Sequence, residues 1–438
     1  MRIVDYLEFY ARTCPEKVFI YQKDGSEQIR YAEFWESVVS KAKDLVGQGY
    51  KPGQILCVRA SQDADYLSLY FACHYAGVVI APLEHDLPEE RLEAIRSRVV
   101  GVEMPAQASD ILFTTGTTGD AKAVVLSREA LVADADNLTE SQGFHQGLIF
   151  IINGPINHFG NHSKVLPVVK NGGSLYLMDN MKSLDSVFQA LDFLRTRGPV
   201  GLFLVPASIR MLLQWSGTRL SEYAKAIEFI ETGAAPIAQS DMLALVRLLP
   251  GSRLYNTYAS SETGVVSTYN YNDGETLAAC VGRPMTRSHV SIRDGVIVCS
   301  GDAQMMGYLG ESLSEHPEPI VTSDMGRLDE EGRLFLTGRA GDIINVGGLK
   351  VSPVEVENAA LGYEDIRDCI CIAAPHRVMG YVPKLLYVVA EGAELDKRDL
   401  ARFLKGKMEQ YKVPVLYEQV ESIRRTYNGK LDRKAYKA

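Results

Sequence analysis

Long apolar runs are absent from this sequence of 438 residues. No window approaches the roughly 18 uninterrupted apolar residues of a membrane-spanning helix, so we expect no membrane span. Asp5 and Glu8 interrupt the apolar run at the N-terminus, so we expect no secretory signal. The seven cysteines are scattered and odd in number, which suits the reducing cytoplasm. Cys369 and Cys371 alternate along a strand-like run and are predicted to be buried thiols.

The sequence also lacks internal repeats, low-complexity tracts and an excess of positive charge. Its net charge of −9 opposes a general affinity for nucleic acid or for anionic membranes. Its composition, 46% apolar and 23% charged, is typical of globular proteins. A chain of this length is expected to form two or more domains with ample core.

Strand-like and helix-like segments alternate through most of the chain, which is typical of an α/β architecture. Short strands predicted at Gly201–Val205, Ile227–Ile230 and Leu254–Tyr258 each open into a polar or glycine-rich turn. Ligands bind beyond the carboxyl ends of strands in open α/β sheets, so we expect a site at these turns. After Gly338 the pattern becomes that of a smaller α+β unit, in which a helix is expected near Lys397–Gln410. We predict a large N-terminal α/β domain with several sheets over residues 1–338 and a small α+β domain over residues 339–438.

A loop of threonine and glycine follows the strand-like run that begins at Ile111, and it leads to Lys122. Its residues are Thr114, Thr115, Gly116, Thr117, Thr118 and Gly119. Open backbone N–H groups, several hydroxyl donors and one cation together form a cradle for phosphate. The spacing differs from that of the ordinary P-loop, in which the lysine directly follows the second glycine. A flexible surface turn is the alternative interpretation.

A second polar segment begins within the strand predicted at Leu254–Tyr258. Its residues are Asn256, Thr257, Tyr258, Ala259, Ser260, Ser261 and Glu262. The aromatic ring can stack on adenine, the hydroxyl of Ser261 can bind a phosphate oxygen, and the carboxylate of Glu262 can hold Mg²⁺. A polar turn at the end of a strand is the alternative.

These segments resemble those of the adenylate-forming superfamily, which includes acyl- and aryl-CoA ligases, firefly luciferase and the adenylation domains of nonribosomal peptide synthetases. The first loop is similar to T-S-G-T-T-G-x-P-K-G, with Ala121 and Ala123 in place of the proline and the last glycine. The second segment is similar to N-x-Y-G-x-T-E, with Ala259 and Ser261 as its departures. The resemblance covers nearly the full length, is closest to the acyl-CoA ligases, and implies that the small C-terminal domain is mobile.

The resemblance also implies roles for residues that would otherwise carry little signal. Gly233, Ala234 and Ala235 would flank adenine, Asp324 would bind the ribose hydroxyls, and Arg339 would support the sugar or a phosphate. Gly347, Gly348 and Lys350 lie in a segment similar to the G-G-x-K-V-S-P-x-E-V-E of CoA ligases, where paired glycines would let a pantetheine arm pass close to the backbone.

Two further residues are assigned to catalysis by the resemblance. Lys430 matches the lysine that bridges the substrate carboxylate and the α-phosphate of ATP, although a solvated basic tail is the alternative. His158 matches a histidine at the acyl pocket, with His162 as a near competitor and a structural histidine as the alternative. Two departures stand out: the chain is short between Glu93 and Ala106, and Gly341 occupies the hinge position, where the family usually has Asp or Lys.

The function implied is ATP-dependent activation of a carboxylic acid to an acyl-adenylate, followed by transfer to the thiol of coenzyme A. The cofactors implied are ATP, Mg²⁺ and coenzyme A, or the phosphopantetheine of a carrier protein. A stand-alone enzyme that loads an acyl carrier protein and a non-catalytic ligand-binding relative stay open as alternatives. The oligomeric state is also open, with a dimer among the options. Ile151–Met178 contains no Asp or Glu, which opposes an α-amino acid because its buried ammonium would be unpaired.

Overall fold

The computed structural model describes residues 1–114, 122–178, 184–426 and 431–436. The strands of these ranges are β1 (Val18–Gln22), β2 (Glu27–Arg30), β3 (Ile55–Arg59), β4 (Val79–Leu83), β5 (Ala108–Thr114), β6 (Lys122–Ser127), β7 (Ile149–Ile152), β8 (Ser174–Leu177), β9 (Val200–Leu204), β10 (Ile227–Thr232), β11 (Arg253–Ser260), β12 (Gly264–Asn270), β13 (Cys280–Pro284), β14 (Ser288–Arg293), β15 (Val296–Gly301), β16 (Gly307–Tyr308), β17 (Ile320–Leu328), β18 (Leu334–Arg339), β19 (Ile344–Val346), β20 (Leu349–Val351), β21 (Ile366–His376), β22 (Gly380–Val389) and β23 (Leu416–Gln419).

The helices of the same ranges are α1 (Ile3–Thr13), α2 (Tyr31–Gly47), α3 (Ala64–Ala76), α4 (Glu89–Val99), α5 (Arg128–Gln142), α6 (Phe159–Asn171), α7 (Leu184–Leu194), α8 (Pro206–Ser221), α9 (Gln239–Leu248), α10 (Pro353–Ala360) and α11 (Lys397–Lys405). Short 3₁₀ helices lie at Ala340–Asp342, Gln410–Lys412 and Arg433–Tyr436. Among the described residues, no helix is both long and apolar enough to cross a bilayer.

Three sheets organise the described chain. The largest has the strand order β14-β15-β17-β18-β13-β12-β11-β10-β9-β7-β8-β1-β2. The second has the order β16-β6-β5-β4-β3, and the third, formed by the C-terminal residues, has the order β20-β19-β22-β21 with β23 paired to β22. The α/β fold with several N-terminal sheets and a smaller C-terminal unit, predicted from the sequence, is confirmed.

The parallel centre of the largest sheet brings the polar turns together. Strands β9, β10 and β11 are parallel neighbours, and Thr232 at the end of β10 lies opposite Leu204 of β9 and Asn256 of β11. The five residues of β9 are all buried, as expected for a strand covered by packing on both faces. The turns after these strands therefore lie at one edge of the sheet.

The connection between the large sheet and the C-terminal sheet is short. Strand β18 ends at Arg339, and β19 begins at Ile344. The C-terminal sheet packs its own apolar core, which includes Cys369 and Cys371. Both thiols are free and buried, as predicted. The helix expected near Lys397–Gln410 ends earlier, at Lys405, so this boundary was wrong.

Candidate active site

The base of the threonine–glycine loop is an antiparallel pair, in which Thr114 of β5 lies opposite Lys122 of β6. Residues 115–121 lie outside the described residues, so Thr115, Gly116, Thr117, Thr118 and Gly119 remain sequence predictions. The hydroxyl of Thr114 donates to the carbonyl oxygen of Lys122 at 3.4 Å. The ammonium of Lys122 lies 4.6 Å from the centroid of the Tyr308 ring, within the range of a cation–π contact.

Tyr308 joins this lysine to the carboxylate predicted to hold the metal. Strand β16 pairs with β6, so that Tyr308 lies opposite Val124, two residues from Lys122. The hydroxyl of Tyr308 donates to Oε1 of Glu262 at 3.3 Å. Burial and the Glu262 carboxylate raise the pKa of Tyr308 to about 12, so the phenol stays a donor at neutral pH. The structure thus brings Lys122 and Glu262 to the same ring.

Glu262 is the carboxylate that the sequence predicts to hold a metal ion at this place. Among the described residues, no group of three or more His, Cys, Asp or Glu side chains is arranged to hold a metal ion. Mg²⁺ is usually bound through one or two carboxylates together with substrate phosphates, so Glu262 beside a phosphate loop fits this ion.

The residues predicted at the ribose form a second cluster. Asp324 of β17 lies opposite Arg339 of β18, and Nε of Arg339 donates to Oδ1 of Asp324 at 2.9 Å. The hydroxyl of Tyr258 donates to Oδ2 of the same carboxylate at 2.9 Å. Burial, and after it the charge of Asp324, raises the pKa of Tyr258. The Tyr258 ring is only 7% exposed, so its stacking on adenine stays a prediction.

The segment predicted to flank adenine has an unusual backbone. Ala234 has a φ of 67°, a left-handed conformation that strains a residue with a side chain and is concentrated at functional sites. A Cβ atom on Gly233 would lie 3.2 Å from the carbonyl oxygen of Thr257 and 3.4 Å from the ring of Phe203. The small residues therefore allow β10, β11 and Phe203 to approach one another closely. Ala234 is exposed, and Ala235, which follows it, is half-buried.

The predicted acyl-pocket histidine has a partner that the sequence pattern did not indicate. Nε2 of His158 lies 2.6 Å from Oε1 of Glu84, which directly follows β4. This hydrogen bond lowers the pKa of Glu84. The pair thus links the start of α6 to the second sheet. The only sequence signal for Glu84 was its position as a polar residue immediately after an apolar strand.

The competing histidine, His162, belongs to a buried polar cluster. Its Nε2 lies 3.0 Å from Oδ2 of Asp110, and Nε2 of His74 lies 2.8 Å from Oδ1. The Tyr70 hydroxyl also donates to Asp110 at 2.8 Å. Burial would raise the pKa of Asp110, but the charges and hydrogen bonds of the two histidines hold it well below its usual range. These contacts account for His162 as a structural residue.

A buried ion pair lies behind the predicted acyl pocket. Nζ of Lys164 on α6 lies 2.8 Å from Oε1 of Glu231 on β10, and the two side chains are 2% and 1% exposed. Nζ of Lys164 also lies 5.6 Å from the centroid of the Phe203 ring. The carboxylate of Glu231 is therefore already neutralised by Lys164. This supports the prediction that the acyl pocket does not take an α-ammonium group.

Asp134 on α5 is a buried carboxyl group whose charge should cost stability. Its Oδ1 accepts from the backbone N–H of Val265 at 2.7 Å, and burial raises its pKa to about 6. A raised pKa means that the fold prefers the protonated form. The protonated carboxyl group of Asp134 therefore contributes fully to stability at pH values below its pKa in the unfolded chain. This contribution is lost as the pH rises through about 6.

We expect Asp134→Asn to stabilise the protein in a pH-dependent way, because an amide keeps the acceptor oxygen and removes the charge. The gain in unfolding free energy should grow between about pH 4 and pH 7 to roughly 1–3 kcal/mol. Urea unfolding across this range measures it. Asp136→Asn is the matched control on the same helix: it loses ion pairs with Lys170 and Arg287 and should be destabilised. A gain for Asp134→Asn that did not vary with pH would contradict this explanation.

The last predicted residues lie in the C-terminal unit. Gly347 and Gly348, with φ of 57° and 95°, form the turn between β19 and β20, and the N–H of Gly348 donates to Oδ1 of Asn345 at 2.8 Å. Lys350 is exposed beside this turn. Lys430 lies outside the described residues, so its position stays a prediction. The roles of all these residues in binding and catalysis are likewise predictions.

Comparisons with known proteins place most of the chain in one family. The family model described as "AMP-binding enzyme" matches residues 7–100 and 102–309, and the model described as "AMP-binding enzyme C-terminal domain" matches residues 355–430. A 2-succinylbenzoate–CoA ligase of Staphylococcus epidermidis is 28% identical over 344 residues, which are 75% of this chain and 69% of that protein. A ligase of the same name from Staphylococcus aureus is 29% identical over 343 residues, 74% of this chain and 66% of that protein.

Solved structures share the fold over the whole chain. ATP-bound MatB from Rhodopseudomonas palustris has a TM-score of 0.85 at 22% identity and covers 100% of this chain and 99% of that one. The o-succinylbenzoate CoA synthetase MenE from Bacillus subtilis, in complex with an acyl-adenylate, has a TM-score of 0.82 at 21% identity. The match covers 99% of this chain and 98% of that one. The predicted resemblance is confirmed, and the chain belongs to the AMP-binding enzyme family.

Proposed function

We propose that this protein activates a carboxylic acid with ATP and transfers the acyl group to the thiol of coenzyme A. The observation that carries the proposal is the contact of Lys122 and Glu262 with the same Tyr308 side chain, at the base of the predicted phosphate loop. The cation beside this loop can bind the phosphates of a nucleoside triphosphate, and the carboxylate can bind its metal ion. The similar CoA ligases support the same activity.

Two displacement steps make up the reaction. In the first, a carboxylate oxygen of the acid bonds to the α-phosphorus of ATP, and the bond from this phosphorus to the pyrophosphate oxygen breaks. In the second, the sulfur of the deprotonated thiol bonds to the acyl carbon, and AMP leaves with the bridging oxygen. Negative charge grows on the phosphoryl oxygens in the first step, so a fixed cation such as Lys122 and the amine of Lys430 would lower its barrier. Mg²⁺, when bound, neutralises phosphate charge.

The acid would bind between α6 and the turns after β9 and β10. Phe203, Phe159, Val205 and Ala259 pack in or against one apolar cluster, which gives this region a largely apolar wall. The pair of His158 and Glu84 is a polar feature at the start of α6. An aryl or short aliphatic acid suits this lining better than an amino acid. A panel of such acids, followed by pyrophosphate release, identifies the substrate class.

Coenzyme A is our proposed acceptor, and the direct test is thioester formation with free coenzyme A. The positive φ angles of Gly347 and Gly348 leave a turn without side chains, which could admit a pantetheine arm from either source. A phosphopantetheinylated carrier protein is therefore assayed in parallel. Rapid thioester formation with the carrier and none with coenzyme A would replace our proposed acceptor by a protein partner.

The domain division and the location of the protein are part of this proposal. We retain the boundary between residues 1–338 and 339–438, which falls just before the last residue of β18 and so immediately precedes the short connection to β19. Rotation of the smaller domain about Gly341 would bring Lys430 and the Gly347–Gly348 turn to the reaction in alternate steps. A cytoplasmic location suits seven free cysteines.

We expect Glu262→Gln to weaken the use of Mg²⁺ and ATP without changing which acid is preferred. Loss of the carboxylate charge should lower kcat/KM for ATP by about 10- to 100-fold at low Mg²⁺, with partial rescue at high Mg²⁺. Initial rates measured over a Mg²⁺ series test this effect. Glu311→Gln, which changes another carboxylate near Tyr308, is the control and should have little effect. No rescue by Mg²⁺ together with a shift in acid preference would contradict the assignment.

A further inference from the structure

One carboxylate connects the two proposed domains. Nη1 of Arg210, on α8 of the large domain, donates to Oδ1 of Asp368 at 3.1 Å. Nη2 of Arg425 donates to both oxygens of Asp368, at 2.9 and 2.8 Å. Arg210 is itself held by Asp241 of α9, through bonds of 3.2 and 3.1 Å. These four side chains, which we call the Asp368 relay, alternate in charge and cross from one domain to the other.

The relay is shielded enough from water for its charges to interact appreciably. Its side chains are between 14% and 27% exposed. Ion pairs on an open surface contribute little, because water and salt screen them, whereas partly buried pairs are screened much less. Within the relay Arg210 donates three hydrogen bonds and Arg425 donates two, which restricts the orientation of each planar group. The relay therefore favours one placement of the small domain on the large one.

Arg425 lies at the base of the segment that contains Lys430. It forms an antiparallel bridge with Leu431, the residue directly after Lys430. The N–H of Asp432 donates to the carbonyl oxygen of Arg424 at 3.0 Å, which adds a second connection. The two ends of the segment between Arg425 and Leu431 are thus held side by side, and one of them is the arginine bound to Asp368.

The other end of this segment is anchored inside the small domain. Nη1 and Nη2 of Arg433 donate to the two carboxylate oxygens of Glu357, at 2.6 and 2.7 Å, and Nη1 also donates to the carbonyl oxygen of Cys371 at 2.8 Å. Glu357 is buried. Arg433 therefore fixes the segment to its own domain, whereas Arg425, through Asp368, connects it to the large domain.

The Gly347–Gly348 turn, predicted to admit pantetheine, is exposed to solvent in the domain orientation that contains the Asp368 relay. A Cβ atom on Gly348 would meet no atom within 4 Å. The neighbouring Leu349 is 49% exposed, and Val378, on the adjacent turn between β21 and β22, is 84% exposed. The described orientation thus joins Arg425 to the large domain through Asp368 and leaves open space beside Gly348.

We infer that Asp368 is a positioning residue for acid activation: by binding Arg210 and Arg425 together, it holds the small domain in the orientation that uses Lys430. This inference depends on the proposed function. Asp368 touches no reacting atom in this account and acts through the segment whose base it holds. Transfer to the thiol requires the other orientation, so the relay must break between the two steps.

The test compares the two half-reactions in Asp368→Asn, which keeps the side chain's size and removes its charge. Acid-dependent ATP–pyrophosphate exchange should fall by about tenfold, a typical coupling between two sites. Thioester formation from synthetic acyl-adenylate and coenzyme A should stay within about twofold of wild type, since it does not need this orientation. Asp399→Asn, which breaks the exposed pair with Arg402 in the same domain, is the control and should change neither rate.

A second variant shows whether the effect passes between the domains. Arg210→Met combined with Asp241→Asn removes the large-domain half of the relay without leaving a buried carboxylate unpaired and without touching the small domain's fold. It should lower exchange as much as Asp368→Asn does, and combining it with Asp368→Asn should lower exchange no further. The inference would be overturned if either variant kept its exchange rate within twofold of wild type, or if either lost both half-reactions equally. It would also be overturned if the losses of exchange in the two variants multiplied when they were combined. Wild-type protein with no exchange for any acid would instead refute the proposed function.

Discussion

Lys430→Ala is expected to lower acid-dependent pyrophosphate exchange by roughly 100-fold or more, because the mutation removes the cation that would stabilise charge on the phosphoryl oxygens. Thioester formation from synthetic acyl-adenylate should be spared. A lysine on the small domain can reach the reacting atoms in only one of the two proposed orientations. The two half-reactions, assayed separately on the same preparation, give the ratio that tests this role.

Lys434→Ala is the matched control for this experiment. It removes an exposed cation four residues away in the same basic segment. Its exchange rate should stay close to that of wild type, which would exclude a general effect of net charge. Equal loss of both half-reactions in Lys430→Ala would mean that Lys430 acts structurally, and our assignment would be wrong.

Gly348→Trp is expected to have the opposite pattern. An indole on the turn between β19 and β20 should block the pantetheine arm after domain rotation and lower thioester formation by roughly 100-fold, since a small misplacement at a reacting centre already costs about this much. Pyrophosphate exchange should persist, because the space around a Cβ at this position is open in the described orientation. Parallel assays of exchange and thioester formation measure both effects.

Gly348 has a φ of 95°, so any side chain there strains the backbone. Gly348→Ala carries the same strain without the bulk and is the necessary control. It should melt at the same temperature as Gly348→Trp and keep most of its thioester formation. A folded Gly348→Trp protein with near-normal thioester formation would remove this turn from the path of the thiol.

The parts of the site that the sequence predicted are those built at strand ends. The polar segments after β10 and β11 lie together because these strands are parallel neighbours and their carboxyl ends share one edge. Asp324 and Arg339 meet because their strands pair in a local antiparallel register. The pattern of an apolar strand followed by a polar turn indicated the segment from Asn256 to Glu262, whereas Asp324 and Arg339 were indicated by the resemblance to the family.

The parts that could not be predicted depend on contacts between distant segments. His158 and Glu84 follow strands of different sheets, and neither lies in a pattern that indicates the other. Tyr308 belongs to a two-residue strand, too short for a periodic signal. The buried pair of Lys164 and Glu231 lies where apolar side chains are expected, and only the packing of α6 on β10 brings the two charges together.

The boundary of the last helix was missed for a local reason. The helix expected to extend to Gln410 ends at Lys405, and Gly406 is its C-terminal cap. Glycine costs about 1 kcal/mol relative to alanine inside a helix, so Gly406 indicated the end of this helix. The helical spacing of apolar residues on both sides of Gly406 concealed this signal. The short 3₁₀ helix at Gln410–Lys412 then continues the chain toward β23.

ATP–pyrophosphate exchange in the absence of any thiol tests the central claim most directly. The measurement uses wild-type protein, Mg²⁺, ATP, labelled pyrophosphate and a panel of aryl, short aliphatic and amino acids. Our account predicts exchange that requires both Mg²⁺ and an acid, with at least one aryl or short aliphatic acid active and the α-amino acids inactive. Protein that binds ATP in equilibrium dialysis but exchanges pyrophosphate with none of these acids would contradict acid activation and indicate a ligand-binding relative.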